Sequence, residues 1–217
     1  MARLKCAVLI SGRGSNLQAL LEACAEPAFP AEIVAVVSNR ADAGGLERAS
    51  AAGIATRVID HREYEGRDAF DAALDSVLRE MGSEFICLAG FMRLLGSAFV
   101  AAWSDRILNI HPSLLPAFKG LDSHEQALAA GVRLSGCTVH FVRAELDDGP
   151  IVVQAVVPIH PDDNAERLAA RVLEAEHRCY PLALRLVAEG RARIDGARVV
   201  LDDAPGAKGV MINPESG

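Results

Sequence analysis

Positive charge, aromatic side chains and long apolar runs are all scarce in this chain, and each shortage removes a class of function. The 22 Lys and Arg stand against 29 Asp and Glu, a formal net charge of −7, so the surface as a whole is a poor partner for nucleic acid. A locally built anion site stays open. Aromatic residues supply 5% of the sequence within a hydrophobic share of 51%, which leaves the core to Ala, Val, Leu and Ile. No apolar run approaches the roughly 20 residues that span a bilayer; Ile33–Val37 and Phe85–Ala89 are strand-sized. Met1–Lys5 carries positive charge without a sustained apolar segment or a small-residue cleavage site, so no signal peptide is expected. The five cysteines, Cys6, Cys24, Cys87, Cys137 and Cys179, are odd in number and scattered along apolar stretches. They read as buried thiols of a reducing, cytoplasmic compartment, not as a disulfide framework or a metal knuckle.

What is present is an alternation. Leu4–Ser11 is an apolar strand that ends in Gly12-Arg13-Gly14-Ser15-Asn16, after which Leu17, Leu20 and Leu21 recur at helical spacing. Strands follow over Ile33–Ser38, Ala55–Ile59, Phe85–Ala89 and Ile107–Ile110, with helices over Ala43–Ala52, Arg67–Met81 and Ser97–Trp103 between them. Strands alternating with helices predict an α/β fold, a mostly parallel sheet covered on both faces. From Thr138–Val142 and Ile151–Val157 the pattern changes to an antiparallel hairpin across the acidic turn Glu145–Pro150. A long helix over Asn164–Glu189 follows, with Asp162 and Asp163 as N-cap candidates, then a short hairpin over Arg191–Leu201 around Asp195-Gly196. No repeat or linker interrupts the chain. One domain over 1–202 is expected, with 203–217 a loosely held tail.

Three clusters carry chemistry. At the first glycine turn, a strand feeding a helix through small residues leaves free backbone N–H groups at the positive end of the helix dipole, and Ser15 and Asn16 add side-chain donors. Leu17 stands where a dinucleotide fingerprint has its third glycine, and no Gly-Lys-Ser/Thr ending makes a P-loop. The turn suits a phosphate monoester, or else is a plain capped βα turn. In the second cluster, Leu108–Pro116, alternation puts Asn109 and His111 on one strand face, and Pro112 ends the strand at its carboxyl end, where open α/β sheets build sites. An amide beside an imidazole can steady an oxyanion and move a proton, or can cap a strand end. The third is the turn holding Asp147 and Asp148: a carboxylate beside an imidazole favours its charged form and fixes its tautomer, whereas a solvated turn would do neither. His140 is either a core histidine or a partner one step back from the site. With no Cys-x-x-Cys or His-x-x-x-His, no metal site is expected.

Together, Ile10-Ser11-Gly12-x-Gly14-Ser15-Asn16-Leu17, Ala89-Gly90-Phe91-Met92-Arg93-Leu94-Leu95, Asn109–Pro116, Thr138–Val142 and Glu145-Leu146-Asp147 resemble the folate-dependent glycinamide ribonucleotide formyltransferases from about Leu4 to about Glu189. The resemblance implies a Rossmann-like sheet with an antiparallel strand near its C-terminal part. It implies direct formyl transfer from 10-formyltetrahydrofolate to glycinamide ribonucleotide in purine biosynthesis, with small molecules as the partners and no nucleic acid or membrane. It implies catalysis by Asn109, His111 and Asp147, the ribonucleotide on Gly14, Ser15, Asn16 and Glu176, and folate against Arg67, Met92, Arg93, Leu94, Leu95, Asn109, Arg143, Ala144, Glu145 and Leu146. Asp148 stands where that family often has glycine, and Asp122 where it often has histidine.

Other readings compete. A formyltetrahydrofolate deformylase would carry an N-terminal regulatory domain and tends to read Ser-Phe-Leu-Pro where this chain has Ser113-Leu114-Leu115-Pro116. A methionyl-tRNA formyltransferase would need an RNA-binding domain and more positive charge. An NADP-dependent reductase could use the glycine turn and Arg40 but leaves Asn109, His111 and Asp147 without work. A non-catalytic folate or nucleotide-binding module needs no such polar set.

Overall fold

Period-2 alternation in the first strand sets the layout. In β1 (Leu4–Ile10) the side chains of Cys6, Val8 and Ile10 enter one apolar cluster and those of Ala7 and Leu9 another, so the strand is buried on both faces, as central strands of parallel sheets are. The computed structural model describes residues 2–203, 206, 209 and 211–214. The remaining strands of the main sheet are β2 (Ala31–Ser38), β3 (Thr56–Val58), β4 (Phe85–Leu88), β5 (Ile107–His111), β6 (Leu134–Phe141) and β7 (Ile151–Pro158). The helices are α1 (Ser15–Ala25), α2 (Gly45–Ala51), α3 (Gly66–Glu80), α4 (Ser97–Ala102), α5 (Ser123–Ala129) and α6 (Ala165–Ala188), and β8 (Ala192–Asp195) and β9 (Arg198–Leu201) form a separate hairpin.

The seven strands lie in the order β3-β2-β1-β4-β5-β6-β7. The first five are parallel, and β6 and β7 each run antiparallel to the strand before. Leu17 and Leu20 from α1 pack with Leu168, Val172, Tyr180 and Leu184 from α6 over one face. Phe70, Leu74 and Leu78 from α3 pack with Phe99 of α4 and Trp103 over the other. The buried Tyr180 hydroxyl lies 2.9 Å from the Leu88 carbonyl and 3.1 Å from that of Leu108, which ties α6 to the ends of β4 and β5. Because β2 and β4 flank β1, the strand order reverses there, and a crevice opens outside the carboxyl ends of β1 and β4.

The elements fall where the patterning put them, with four adjustments. The strand expected from Thr138 begins at Leu134, and β6 and β7 both join the main sheet. The short α5 and a 3-10 turn over His61–Glu63 had no apolar periodicity to announce them. Asn164, not Asp162 or Asp163, caps α6, its side chain accepting from Arg167 N at 2.9 Å. Asp163 instead accepts from Arg171 and from His160 N. The expected tail falls partly outside the described residues; Asn213, which lies within them, donates to the carbonyls of Arg133 at 2.6 Å and Ile159 at 3.0 Å.

Candidate active site

Two antiparallel strands bring four polar residues onto one sheet face. Asn109 pairs with His140 and His111 with Thr138 across β5 and β6, and directly opposed residues share a face. The Asn109 amide donates from Nδ2 to His140 Nε2 at 3.2 Å, and the other His140 nitrogen donates to the Phe141 carbonyl at 3.0 Å. That pattern is a neutral imidazole with its proton on Nδ1. Burial, the largest influence, pushes the His140 pKa down, against opposing effects from the Phe141 carbonyl and Asp147.

His111 is held differently. Its Nε2 donates to the Phe118 carbonyl at 2.9 Å, which leaves Nδ1 as the nitrogen facing the site. Asp147 Oδ2 lies 3.4 Å from that nitrogen, and Asp147 Oδ1 lies 3.8 Å from His140 Nε2. The Asp147 side chain is 7% exposed and sits on a residue with φ 49°. It also accepts from Gly120 N at 2.9 Å. The segment from 112 to 122 is thus pinned over the site at Phe118 and Gly120. Thr138 Oγ1 anchors the start of that segment, donating to the Ser113 carbonyl at 2.7 Å and accepting from Leu115 N at 3.1 Å. Asp148 forms an ion pair with Lys119 instead. It is the exposed neighbour, while Asp147 carries the left-handed backbone.

The glycine turn lies at the crevice. Gly14 caps α1 with φ 73°, and a Cβ there would stand 2.6 Å from Gly45 Cα, so the turn is pressed against the start of α2. The first helical bond runs from Gln18 N to Gly14 O, which leaves the preceding N–H groups without partners in the helix. Here the structure adds a partner that the sequence reading did not give. The Asn16 side chain is partly engaged: buried, it donates one hydrogen from Nδ2 to Glu176 Oε2 at 2.7 Å, and its own Oδ1 has no hydrogen-bond partner. Burial pushes the Glu176 pKa up, opposed by that Asn16 bond. A groove of ≈560 Å³ lined by Ser15, Gln18, Glu22, His177 and Pro181 runs alongside, between α1 and α6.

The segment after β4 meets the same crevice. Ser11 Oγ accepts from Met92 N at 2.8 Å and donates to Asn39 Oδ1 at 2.6 Å. Met92 and Leu94 are 71% and 56% exposed, and Leu146, on the turn that carries Asp147, is 51% exposed. Phe91 and Leu95 pack inward against the apolar cluster of Ala7, Leu9 and Phe70. Arg93 lies with its guanidinium carbon 4.6 Å over the Phe70 ring. Arg67, Ala144 and Glu145 are exposed. Arg143 turns to Asp105, donating to Oδ1 at 2.7 Å.

Residues 4–184 match the family described as formyl transferase. The chain belongs to the formyl transferase family. Among members of known structure it resembles a glycinamide ribonucleotide transformylase from Symbiobacterium toebii, with TM-score 0.91 and 52% identity over 93% of this chain and 95% of that one. A phosphoribosylglycinamide formyltransferase from Escherichia coli is 46% identical over 90% of this chain and 92% of its own length. The trifunctional purine biosynthetic protein adenosine-3 of Gallus gallus is 55% identical over 90% of this chain. The chain spans only 19% of that protein's length.

Within this formyl transferase fold, sequence reasoning missed two contributors. Phe118 and Gly120 act through backbone groups, which no side-chain motif announces. His140 was left open between core and site; its place opposite Asn109 was readable only once β5 and β6 were known to pair antiparallel in that register.

Proposed function

We propose that this chain transfers the formyl group of 10-formyltetrahydrofolate to the amine of glycinamide ribonucleotide, a step of purine biosynthesis, in the cytoplasm. The observation that carries this reading is the convergence of Asn109, His111 and Asp147 at one sheet end, beside an apolar rim and a phosphate-sized helix start. The donor's ring system lies against Met92, Leu94 and Leu146. The ribonucleotide phosphate takes the free N–H groups after Gly14, and Glu176 faces the acceptor.

The chemistry needs no covalent enzyme intermediate. The acceptor nitrogen attacks the formyl carbon and forms the new C–N bond, while the carbonyl oxygen gains negative charge. Asn109 Nδ2 has one hydrogen occupied by His140 and a second available, and the protonated ring of His111, with Nε2–H on the Phe118 carbonyl, offers Nδ1–H. Both donors meet that oxyanion, the interaction that most lowers acyl-transfer barriers. Asp147 accepts the proton the amine loses, directly or through water. The proton is then delivered to folate N10 as the C–N10 bond breaks and the carbonyl reforms. Proton in and proton out balance at Asp147.

The decisive assay follows formyl transfer with and without glycinamide ribonucleotide. Formylated ribonucleotide and tetrahydrofolate should appear in equal amounts, and neither without the acceptor. Free formate released at a comparable rate without acceptor would mean a deformylase.

A further inference from the structure

One buried carboxylate lies outside the reacting set, on the opposite face of the donor segment. Asp71 of α3 is 6% exposed. Its Oδ2 accepts from Gly96 N at 2.6 Å, at the point where the 91–96 segment enters α4. The backbone is drawn right up to this oxygen: a Cβ on Gly96 would stand 2.8 Å from it and 3.4 Å from Arg67 Cδ. The other oxygen, Oδ1, is buried without a hydrogen-bond partner, and so is Arg93 Nε. Arg93 and Arg67 both act on the carboxylate through their charge, and Asp68 opposes them.

Burial is the largest influence on Asp71 and pushes its pKa up, against the Gly96 N–H and the two arginines. A carboxylate with a raised folded pKa contributes stability that is fully present below its unfolded pKa and is lost as pH rises through the folded one. At neutral pH its ionised form therefore works against the fold. A buried carboxylate that holds the backbone where the 91–96 segment enters α4, one layer behind the exposed Met92 and Leu94, is placed to position that segment.

We propose that Asp71 is a positioning residue of the folate site. Its carboxylate anchors the segment that presents Met92 and Leu94, and its charge acts at longer range on Arg67 and Arg93 without an ion pair to either. The inference rests on the reading of that segment as the donor surface.

Asp71→Asn in the full chain keeps the shape and an acceptor for Gly96 N but removes the charge. The Michaelis constant for 10-formyltetrahydrofolate, and the calorimetric dissociation constant for tetrahydrofolate, should rise about tenfold, the span of one charge-assisted hydrogen bond. The Michaelis constant for glycinamide ribonucleotide and the turnover should stay within about twofold. The melting temperature should hold or rise, which a merely structural carboxylate would not allow. Asp71→Ala, which also removes the acceptor, should deepen the same selective loss. Folate constants unchanged in both variants would overturn the proposal, as would a fall in melting temperature with both substrates weakened alike. Met92→Asp and Leu94→Asp test the reading beneath it. If they leave tetrahydrofolate binding intact, the segment is not the donor surface and both readings fall. If they weaken it and Asp71→Asn does not, the Asp71 proposal alone fails.

Discussion

Asn109 has two amide hydrogens, and the fold occupies one of them. His140 takes that one because it is a neutral acceptor at Nε2, and burial on the sheet face favours the neutral form against the opposing pull of the Phe141 carbonyl that accepts its Nδ1–H. The role of the amide therefore depends on the protonation of a neighbour. If His140 gained a proton, its Nε2 would become a donor facing the Nδ2 donor of Asn109. The amide would then have to turn its oxygen inward, away from oxyanion duty. The lowered pKa guards against this. A histidine whose folded pKa is depressed contributes stability that is present above its unfolded value and is lost as pH falls through the folded one. NMR titration of the His140 ring should give a midpoint below 6.5, its ordinary value. The turnover should fall on the acid side with that midpoint, as the amide is lost as a donor. A ring that titrates at or above the ordinary value would remove His140 from the control of Asn109.

At the scale of elements, the start of α6 shows how far residue types alone can go. An acidic pair before a long amphipathic stretch does signal a helix N-terminus, and the helix is there. The cap itself fell to Asn164, because Asp163 is drawn into a two-pronged contact with Arg171, one turn and a half into the helix, at 2.7 and 2.9 Å. That side chain is 2% exposed and its pKa is held down at about 2, chiefly by the Arg171 hydrogen bond. A lowered carboxylate pKa adds stability above the unfolded value and loses it as pH falls through the folded one, here from roughly pH 4 to pH 2. Asp163→Asn should therefore cost about 1–2 kcal/mol at pH 7 in denaturant melts, after discount for the partly exposed Arg171. The gap to the parent chain should close by about pH 2. A gap that persists unchanged into acid would mean that the side chain's packing matters, not its charge. Legibility followed the same rule elsewhere. Strands and long helices were readable because apolar period is a local property. The short α5, with Ala127 its only buried apolar residue, had too little period to see. The registry of β5 against β6, which makes His140 a partner of Asn109, is set by contacts 31 residues apart and has no local signature. The bond between Asn16 and Glu176 had no local signature for the same reason: the two lie 160 positions apart.

For the molecule as a whole, the charge balance poses a problem that the fold answers locally. The net charge is −7, yet the proposed ligands carry a phosphate and a glutamate tail. Much of the basic complement is neutralised on the surface: Arg40, Arg57, Arg62, Arg79, Arg143, Arg167, Arg171, Arg191 and Arg193 all lie in ion pairs with carboxylates. Arg13 in the glycine turn, Arg67 at the start of α3 and Arg93 after β4 form no ion pair of this kind among the described residues. These three stand around the crevice at the β1–β4 switch point, so they supply positive potential where the proposed anions are to enter. Such focusing is screened by salt, since the Debye length falls from about 10 Å at 0.1 M to about 3 Å at 1 M. Raising sodium chloride across that range should increase the Michaelis constants of both substrates several-fold. Turnover should change by less than about twofold, because the reacting groups are buried and screened far less. The dependence should divide by residue. Arg13→Gln should flatten the salt response of the ribonucleotide, and Arg67→Gln that of the folate, each leaving the other nearly as in the parent chain. Were both Michaelis constants flat in salt, the three arginines would be solvated surface charges. The backbone N–H groups after Gly14 would then have to hold the phosphate without long-range help.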